Sequence, residues 1–232
     1  LDVARILTTD PDDLARTDIS SAALTALRDS SVREVVIAAR RGPAASAFTL
    51  PELIGLTATA TVVLDAADRE RVQRDLEVVD DAATRAKLEI LAKLADSAEP
   101  SPRPRIRLAY LLTPHRVRGA DRVQGIEFRR TGTGEPVYLD TGMVLTSIGY
   151  RGKPVPGLPF DDDANVVPNT GGRVIDPGTG RPVPGVYVAG WIKRGPTGFI
   201  GTNKSCAMQT VSALVDDFNA ERLGDPVAGP AA

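Results

Sequence analysis

Two arginines that directly follow an apolar, β-branched run are residues whose type and position suggest chemistry. The run 32–39, VREVVIAA, is too short for a helix and predicts a buried strand, and Arg40, Arg41 and Gly42 stand at its carboxyl end. In doubly wound folds, ligands bind at that end of the strands. Guanidinium groups donate paired hydrogen bonds to phosphate oxygens, and no Asp or Glu follows the run immediately, so the pair favours NADP, with its 2′-phosphate, over NAD. A solvated arginine pair on a loop is the alternative interpretation.

A second segment with possible chemistry covers residues 190–204, GWIKRGPTGFIGTNK. It contains the only tryptophan, Trp191, and lies between a strand-like run, 186–189, and a helix-like run, 205–218. A strand, a glycine-rich turn and a helix N-terminus bring backbone N–H groups close to a ligand, and a helix N-terminus stabilises the negative charge of a reduced flavin. Taken alone, however, the pattern favours a glycine-rich loop beside a core tryptophan.

Composition limits the class of protein. The 232 residues carry a net charge of −2 and 42% hydrophobic residues, which is typical of a globular protein and does not indicate nucleic-acid or membrane-surface binding. The single cysteine, Cys206, excludes an intrachain disulfide, predicts a buried structural thiol and indicates a reducing compartment, the cytoplasm. With one histidine, His115, neither a histidine metal site nor a Ser-His triad has much support. No apolar run approaches the ~18 residues of a membrane span.

The elements that must position these segments alternate between strands and helices. Besides 32–39, strands are predicted over 59–64, 105–112, 125–130, 137–139, 143–148 and 186–189. Helices are predicted over 1–7, 19–28 with a cap at Thr17-Asp18, 52–56, 65–98 with a second half that starts at Asp80-Asp81, and 205–218. Residues 151–184 predict a crossover between domains with a hairpin that turns at 176–180, and the tail 224–232 is expected to be disordered. The alternation favours an α/β fold with a mainly parallel sheet.

Three quoted segments together resemble the adrenodoxin reductase-type ferredoxin–NADP reductases, including their bacterial members. LDVARIL, 1–7, is similar to the helix after the family's NADP-binding glycine turn. ARRGPAASAFTLPEL, 39–53, is similar to its 2′-phosphate segment, and VYVAGWIKRGPTGFIGTNK, 186–204, to its C-terminal flavin segment. The resemblance covers essentially the whole chain. The glycine turn that should precede Leu1 and the family's first glycine fingerprint are absent, so we expect the C-terminal portion of a longer enzyme.

The resemblance implies a flavoprotein with the two-domain architecture of the flavoprotein disulfide reductases and with FAD and NADP as cofactors. Residues 1–149 would form a Rossmann-like NADP-binding domain without its N-terminal strand and glycine turn, and residues 150–232 the C-terminal part of the FAD-binding domain. No metal site is predicted. The carried-over NADP contacts are Arg40, Arg41 and Glu52. The carried-over FAD contacts are Trp191, Gly198, Phe199 and Ile200, of which Gly198 also approaches the nicotinamide.

The implied activity is electron transfer from NADPH through FAD to a ferredoxin or a similar iron–sulfur protein. The alternatives are another FAD/NADP oxidoreductase, such as a glutamate-synthase small-subunit type, or a nucleotide-binding fragment without turnover. Lys193 and Arg194 would hold a reduced flavin or meet an acidic partner, or else lie on a solvated loop. Five further cations would dock an acidic ferredoxin or line a solvated helix face: Arg69, Arg71, Arg74, Arg85 and Lys87.

Overall fold

Helices and strands alternate along the chain in the computed structural model, which describes residues 1–98, 104–198 and 200–223. In these ranges the helices are α1 (Asp2–Thr8), α2 (Pro11–Leu14), α3 (Ser21–Arg28), α4 (Leu50–Thr59), α5 (Ala66–Val78), α6 (Ala82–Leu91), α7 (Trp191–Arg194) and α8 (Ile200–Asn219), with a 3-10 helix at Pro43–Ala45. The strands are β1 (Glu34–Ala38), β2 (Thr61–Leu64), β3 (Ala95–Asp96), β4 (Arg105–Ala109), β5 (Leu112–Arg118), β6 (Gly125–Arg130), β7 (Pro136–Asp140), β8 (Asn169–Thr170), β9 (Arg173–Asp176) and β10 (Arg181–Tyr187). The chain divides into two units, Leu1–Leu145 and Thr146–Ala232.

The first unit is built on a four-stranded parallel sheet with the order β1-β4-β2-β3. Strand β4 lies between β1 and β2, with Arg107 opposite Val36 on one side and Val63 on the other. Because all four strands run the same way, their carboxyl ends meet at one edge of the sheet. The predicted α/β fold with a parallel sheet is therefore confirmed, and the residues that follow each strand lie along that edge.

One face of this sheet carries the main core of the first unit. Along β4 the side chains alternate, so Ile106 and Leu108 are fully buried beneath the helices while Arg105 and Arg107 point to the other side and bind Glu34 of β1 at 2.9 and 3.0 Å. The buried residues that pack with them from the helices and from β2 are Leu53, Leu56, Leu64, Val72, Leu88 and Leu91. Each such side chain contributes about 1.5–3 kcal/mol through burial, so helices α4, α5 and α6 are fixed on the sheet mainly by this core.

A three-stranded antiparallel sheet of order β5-β6-β7 completes the first unit. The predicted hairpin of 125–130 with 137–139 is confirmed as β6 and β7. The prediction of one strand over 105–112 was wrong, because Leu111 adopts a left-handed conformation, φ 57°, and the chain leaves the parallel sheet there to enter β5. Ile126 and Phe128 of β6 are buried with Ala109 and Leu112.

Several boundaries predicted from local patterns differ from the structure. The strand predicted over 143–148 is wrong: Met143 and Leu145 are exposed and Ile148 is 89% exposed. A strand needs a hydrogen-bonding edge, and no strand in the described ranges pairs with this segment. Helix α3 is capped by the Ser20 hydroxyl, which accepts from the amide of Ala23, and not by the predicted Thr17-Asp18.

The helical region predicted over 65–98 forms α5 and α6, and the start of its second half predicted at Asp80-Asp81 is confirmed: the carboxylates of Asp65 and Asp81 cap the two N-termini. It ends in the short parallel strand β3, which pairs with β2 and which local periodicity did not indicate. The predicted strand 32–39 is confirmed as β1, although its side chains are only partly buried, because it lies at an edge of the described sheet. The predicted disordered tail, 224–232, lies outside the described residues.

The second unit contains the antiparallel sheet β10-β9-β8 and the 20-residue helix α8. The predicted hairpin with its turn at 176–180 is confirmed by the pairing of β9 with β10. Val167, Val174 and Val188 form its buried cluster. Helix α8 begins at Ile200 and not at the predicted residue 205, so the second half of the glycine-rich segment is helical. Among the described residues, no helix combines the length and apolar character needed to cross a bilayer.

An ionic network fastens α8 to the sheet of the second unit. Asp217 of α8, which is 6% exposed, accepts hydrogen bonds from Arg173 Nε at 2.7 Å and from Tyr187 Oη at 2.6 Å. Arg222 Nε donates to the same carboxylate at 2.8 Å. These donors, the Arg173 guanidinium first, hold the pKa of Asp217 well below its usual range. The network therefore joins β9, β10 and the helix through one ionised carboxylate.

We expect the substitution Asp217→Asn to remove a stabilising contribution that depends on pH. The pKa of Asp217 is lower in the folded than in the unfolded protein, so the contribution is fully present above the unfolded value of about 4 and is lost as the pH falls towards the folded value. Urea unfolding between pH 2 and 7 should show a stability gap between wild type and variant that narrows in acid. The neighbouring exposed carboxylate offers the control Asp216→Asn, which should leave no such gap. A gap of constant size down to the lowest pH would contradict the assignment.

Candidate functional site

The carboxyl edge of the parallel sheet carries the two arginines that follow β1. The backbone there continues the sheet: Ala39 N donates to Ala109 O at 2.8 Å, and Leu112 N donates to Ala39 O at 2.9 Å. Both Arg40 and Arg41 are exposed, and within the described ranges neither guanidinium takes part in an ion pair or side-chain hydrogen bond. The edge therefore presents two cations on an ordered backbone, with their donors available to an anionic ligand.

The loop that follows the arginines is attached to helices α5 and α6. Asp75 of α5 accepts from the amide of Ala44 at 3.0 Å, and Lys87 of α6 donates to the carbonyl oxygen of Ser46 at 3.2 Å. Sequence reasoning missed Asp75 and placed Lys87 in a cationic stretch that docks a partner or lies in solvent. The composition of the loop could have indicated such attachments. A segment of Pro, Ala and Ser has few side-chain hydrogen-bonding groups of its own, so it needs partners from elsewhere in the fold to be ordered.

Glu52 has a structural role in the described residues. Its carboxylate accepts from Thr49 N at 2.6 Å and from Thr49 Oγ1 at 2.9 Å, and Glu52 N donates back to Thr49 Oγ1 at 3.4 Å. This is a capping box, which satisfies the free N–H groups at the start of α4. Glu52 also lines a cavity of about 120 Å³ together with Leu1, Asp2 and Arg5. Its predicted contact with NADP stays a prediction.

Trp191 occupies an exposed position at the start of α7 in the second unit. The short helix lies between Gly190, with φ 75° and ψ −150°, and Gly195, with φ 82° and ψ 167°, and both conformations are essentially restricted to glycine. The indole is 45% exposed, so the interpretation as a core tryptophan is wrong. Its ring centroid lies 5.3 Å from that of Tyr150, with a tilt of 36°. Tyr150, which is also exposed, was missed because nothing in its local pattern connects it with Trp191.

The two cations of α7 are used inside the second unit. Lys193 Nζ donates to Gln209 Oε1 at 2.7 Å and to Thr210 Oγ1 at 3.0 Å, which ties α7 to α8. Arg194 donates to the carbonyl oxygen of Thr197 and to the side chain of Asn203, across the turn between the two helices. Neither is a solvated loop residue as the sequence allowed, and both order the glycine-rich segment.

The turn before α8 requires glycine at position 198. Gly198 has φ 84°, and a Cβ atom there would lie 2.7 Å from Thr202 Oγ1 and 2.8 Å from its Cβ. The backbone of the turn therefore lies directly against the first turn of α8. Phe199 lies outside the described residues, and Ile200 is described only as the first residue of α8. Their predicted FAD contacts stay predictions.

Cys206 is buried in α8, as predicted. Its Sγ accepts from Gly190 N at 3.3 Å, so the thiol helps to hold the glycine that begins α7.

Tyr110, at the carboxyl end of β4, is also buried, and burial raises the pKa of its hydroxyl to about 12, which keeps the group protonated as a hydrogen-bond donor. In the described ranges no cluster of three or more metal-ligating side chains occurs.

The five cations between residues 69 and 87 are engaged within the first unit. Arg69 binds Asp96 at 2.6 Å and Arg71 binds Asp68 at 2.9 Å. The other three donate to backbone carbonyl oxygens: Arg74 to Glu70, Arg85 to Leu76 and Val79, and Lys87 to Ser46 and Phe48. Arg71 and Arg74 thus bond within α5, while Arg69, Arg85 and Lys87 connect helices to neighbouring segments, which gives little support to the interpretation of this stretch as a docking surface.

Known proteins resemble this chain over most or all of its length, although no protein-family model matches it. A probable ferredoxin/ferredoxin–NADP reductase of Mycobacterium bovis is 69% identical over 235 residues, covering 100% of this chain and 41% of the relative. The mitochondrial NADPH:adrenodoxin oxidoreductase of Arabidopsis thaliana is 37% identical over 246 residues, covering 94% of this chain and 51% of the relative. The structure of Mycobacterium tuberculosis FprA in complex with NADPH has a TM-score of 0.80 at 41% identity, covering 97% of this chain and 52% of that chain.

These matches confirm the predicted resemblance to ferredoxin–NADP reductases of the adrenodoxin reductase type, and the FprA structure confirms the fold. The chain spans between 41% and 52% of the length of these proteins. The similarity is not confined to the short motifs around the arginines and the tryptophan, since it includes the helices and strands that position them.

Substitution of Gly198 tests how closely the turn lies against α8. We expect Gly195→Ala to cost about 1–3 kcal/mol of stability from backbone strain alone, because no atom lies within 4 Å of the added Cβ. Gly198→Ala should cost more, by about 1–3 kcal/mol, because strain and the contact with Thr202 act together. Chemical unfolding of the two variants measures the difference. Equal losses would show that the turn has room for a side chain.

Proposed function

We propose that the chain forms the NADP-binding domain and the C-terminal part of the FAD-binding domain of a ferredoxin–NADP reductase of the adrenodoxin reductase type. In this proposal residues 1–149 bind NADP and residues 150–232 contribute to the FAD site. The enzyme would transfer electrons between NADPH and a ferredoxin or similar iron–sulfur protein, in the cytoplasm. The relatives' names support this activity, while a glutamate-synthase-type role or a fragment without turnover finds no support among them.

The observation that carries the proposal is the pair of uncompensated arginines at the carboxyl edge of the parallel sheet. Two guanidinium groups on the residues after β1 suit the 2′-phosphate that distinguishes NADP from NAD. The 41% identical FprA was solved with NADPH, which supports a nicotinamide ligand for this fold. Glu52 is part of the proposed contact set by resemblance, although its carboxylate is used in the capping box.

The glycine-rich segment of the second unit fits a flavin in three respects. Trp191 offers an exposed ring, Gly198 allows close approach of the backbone, and the long helix α8 presents its N-terminus. A helix N-terminus stabilises negative charge, which develops on a reduced flavin. Phe199 and Ile200 complete the proposed contacts.

The residues of the chain would bind and orient the cofactors, and we assign no general acid or base. FAD, when bound, supplies the exchange between two-electron hydride transfer and one-electron transfer. Arg40 and Arg41 would hold NADP by its 2′-phosphate, and Trp191 would lie along the flavin site. Lys193 and Arg194 keep α7 and the turn in place through their bonds to Gln209 and Asn203.

The activity is tested on the full-length reductase by its absorption spectrum and by NADPH-dependent reduction of a ferredoxin. We expect a flavin spectrum, ferredoxin reduction with NADPH, and slower reduction with NADH. A purified enzyme that takes up no flavin when FAD is added, or that reduces no ferredoxin, would overturn the proposal.

Replacement of Arg41 is expected to lower kcat/KM for NADPH far more than kcat/KM for NADH. Arg41→Ala removes a charge-assisted contact with the 2′-phosphate, worth about 1.5–3 kcal/mol, and NADH has no such group to lose. Steady-state kcat/KM with both nucleotides measures the effect. Arg33→Ala provides the control, since Arg33 is an exposed arginine directly before the amino end of β1, away from the carboxyl edge of the sheet. An equal loss of kcat/KM with both nucleotides would contradict the assignment of Arg41 to the 2′-phosphate.

A further inference from the structure

We infer that Asp75 and Lys87 are positioning residues for NADP recognition, because they fix the loop 42–49 behind the two arginines without lying in the proposed phosphate contact themselves. The inference rests on the proposed function and deepens it. It identifies what sets the direction of Arg40 and Arg41, whose own side chains have no partner in the described ranges.

Asp75 holds the first half of the loop. Its Oδ2 accepts from the backbone amide of Ala44 at 3.0 Å, in the 3-10 helix Pro43–Ala45. Pro43 is buried beside it, and Pro43 itself has no N–H to donate. The Ala44 amide is therefore the first N–H of the 3-10 helix, and a charged acceptor on α5 satisfies it. A hydrogen bond to an ionised acceptor is stronger than one between neutral groups, so this contact is a firm attachment.

Lys87 holds the second half of the loop. Its Nζ donates to the carbonyl oxygens of Ser46 at 3.2 Å and of Phe48 at 3.5 Å. The ammonium also lies 6.0 Å from the centroid of the Phe48 ring. Phe48 packs against the main core, so the loop is held at its far end by α6 and by the core together. An anionic group on α5 thus binds a donor of the loop, and a cationic group on α6 binds its acceptors.

The strand edge supplies a third attachment. The Tyr110 hydroxyl lies 3.1 Å from Ser46 Oγ, which donates to Pro43 O at 2.6 Å. Tyr110 is itself held by Asp68, which accepts from its backbone amide at 3.0 Å. Burial raises the pKa of Asp68, although the Tyr110 amide and Arg71 oppose that effect. The loop is therefore fastened to α5, α6 and the end of β4.

This arrangement matters for phosphate binding because an arginine side chain loses considerable conformational freedom when it is ordered. If the backbone behind Arg41 were also mobile, binding would have to order the loop as well as the side chains. The attachments order it beforehand. Because only NADPH carries the 2′-phosphate, loosening the loop should raise KM for NADPH while leaving NADH and kcat little changed.

The experiment uses Asp75→Ala, Asp75→Asn and Lys87→Met in the full-length reductase, with Glu77→Ala as a control for an exposed carboxylate on the same helix. We expect Asp75→Ala and Lys87→Met each to raise KM for NADPH about three- to tenfold, the loss of one or two hydrogen bonds, with kcat and the NADH parameters near wild type. Asp75→Asn keeps an acceptor for the Ala44 amide but loses its charge, so its KM for NADPH should lie between those of wild type and Asp75→Ala. Hydrogen–deuterium exchange over residues 42–49 should be faster in Asp75→Ala and Lys87→Met, and unchanged in Glu77→Ala and Arg41→Ala.

The outcomes separate this inference from the proposed function. If Arg41→Ala lowers the preference for NADPH but neither Asp75→Ala nor Lys87→Met does, the positioning role is overturned while the NADP site stands. If Arg41→Ala leaves the preference for NADPH over NADH unchanged, both the proposed NADP site and the positioning role are overturned. Should Asp75→Ala fail to fold, Lys87→Met decides, since methionine is an unbranched side chain of similar length that lacks only the ammonium donors. Faster loop exchange with an unchanged NADPH preference would also contradict the inference.

Discussion

The parallel pairing of β1 with β4 is the constraint on which the candidate NADP site depends. Ala38 lies opposite Ala109, and backbone hydrogen bonds continue beyond β1: Ala39 N donates to Ala109 O, Leu112 N to Ala39 O and Leu111 N to Arg41 O. The backbone that carries the two arginines is thus bonded on both sides of Arg40 to the end of β4 and the start of β5. If the pairing slipped by one residue, the alternation of side chains along β1 would reverse, and the arginines would leave the edge at a different point.

Buried and partly buried charges attach helices to loops and strands in both units. The Asp68 carboxylate accepts hydrogen bonds from the Tyr110 amide and from Arg71. The Asp217 carboxylate accepts hydrogen bonds from Arg173, Tyr187 and Arg222. In each case a carboxylate on a helix binds donors from a neighbouring strand end. A buried carboxylate without these donors would be costly, so each pair specifies one position of the helix on its sheet. Arg40 and Arg41 stand apart from this use of charge, which is a physical reason to assign them to a ligand.

The glycine-rich segment of the second unit combines backbone conformations that only glycine adopts readily with side-chain bonds that hold them. Gly190 and Gly195 enclose the single turn of α7, while Asn169 donates to the carbonyl oxygens of Val167 and Lys193 at 2.9 Å. Lys193 and Cys206 then connect that turn to α8. The exposed indole of Trp191 is therefore carried on a segment with several attachments, and it is displayed for contact although the surrounding backbone is ordered.

The sequence by itself determined the local structure and the chemistry of the exposed residues. The β-branched run before Arg40 predicted a strand, the helical periodicity predicted the main helices, and the long segments around Arg40 and Trp191 identified the family. Only the tertiary structure decided that Trp191 is exposed, that it lies beside Tyr150, and that Lys87 binds the loop behind Arg41. It also decided against a strand over 143–148, although the residues there favour one. Strand pairing and side-chain contact depend on partners distant in sequence, and local patterns contain no information on which distant residue will be adjacent.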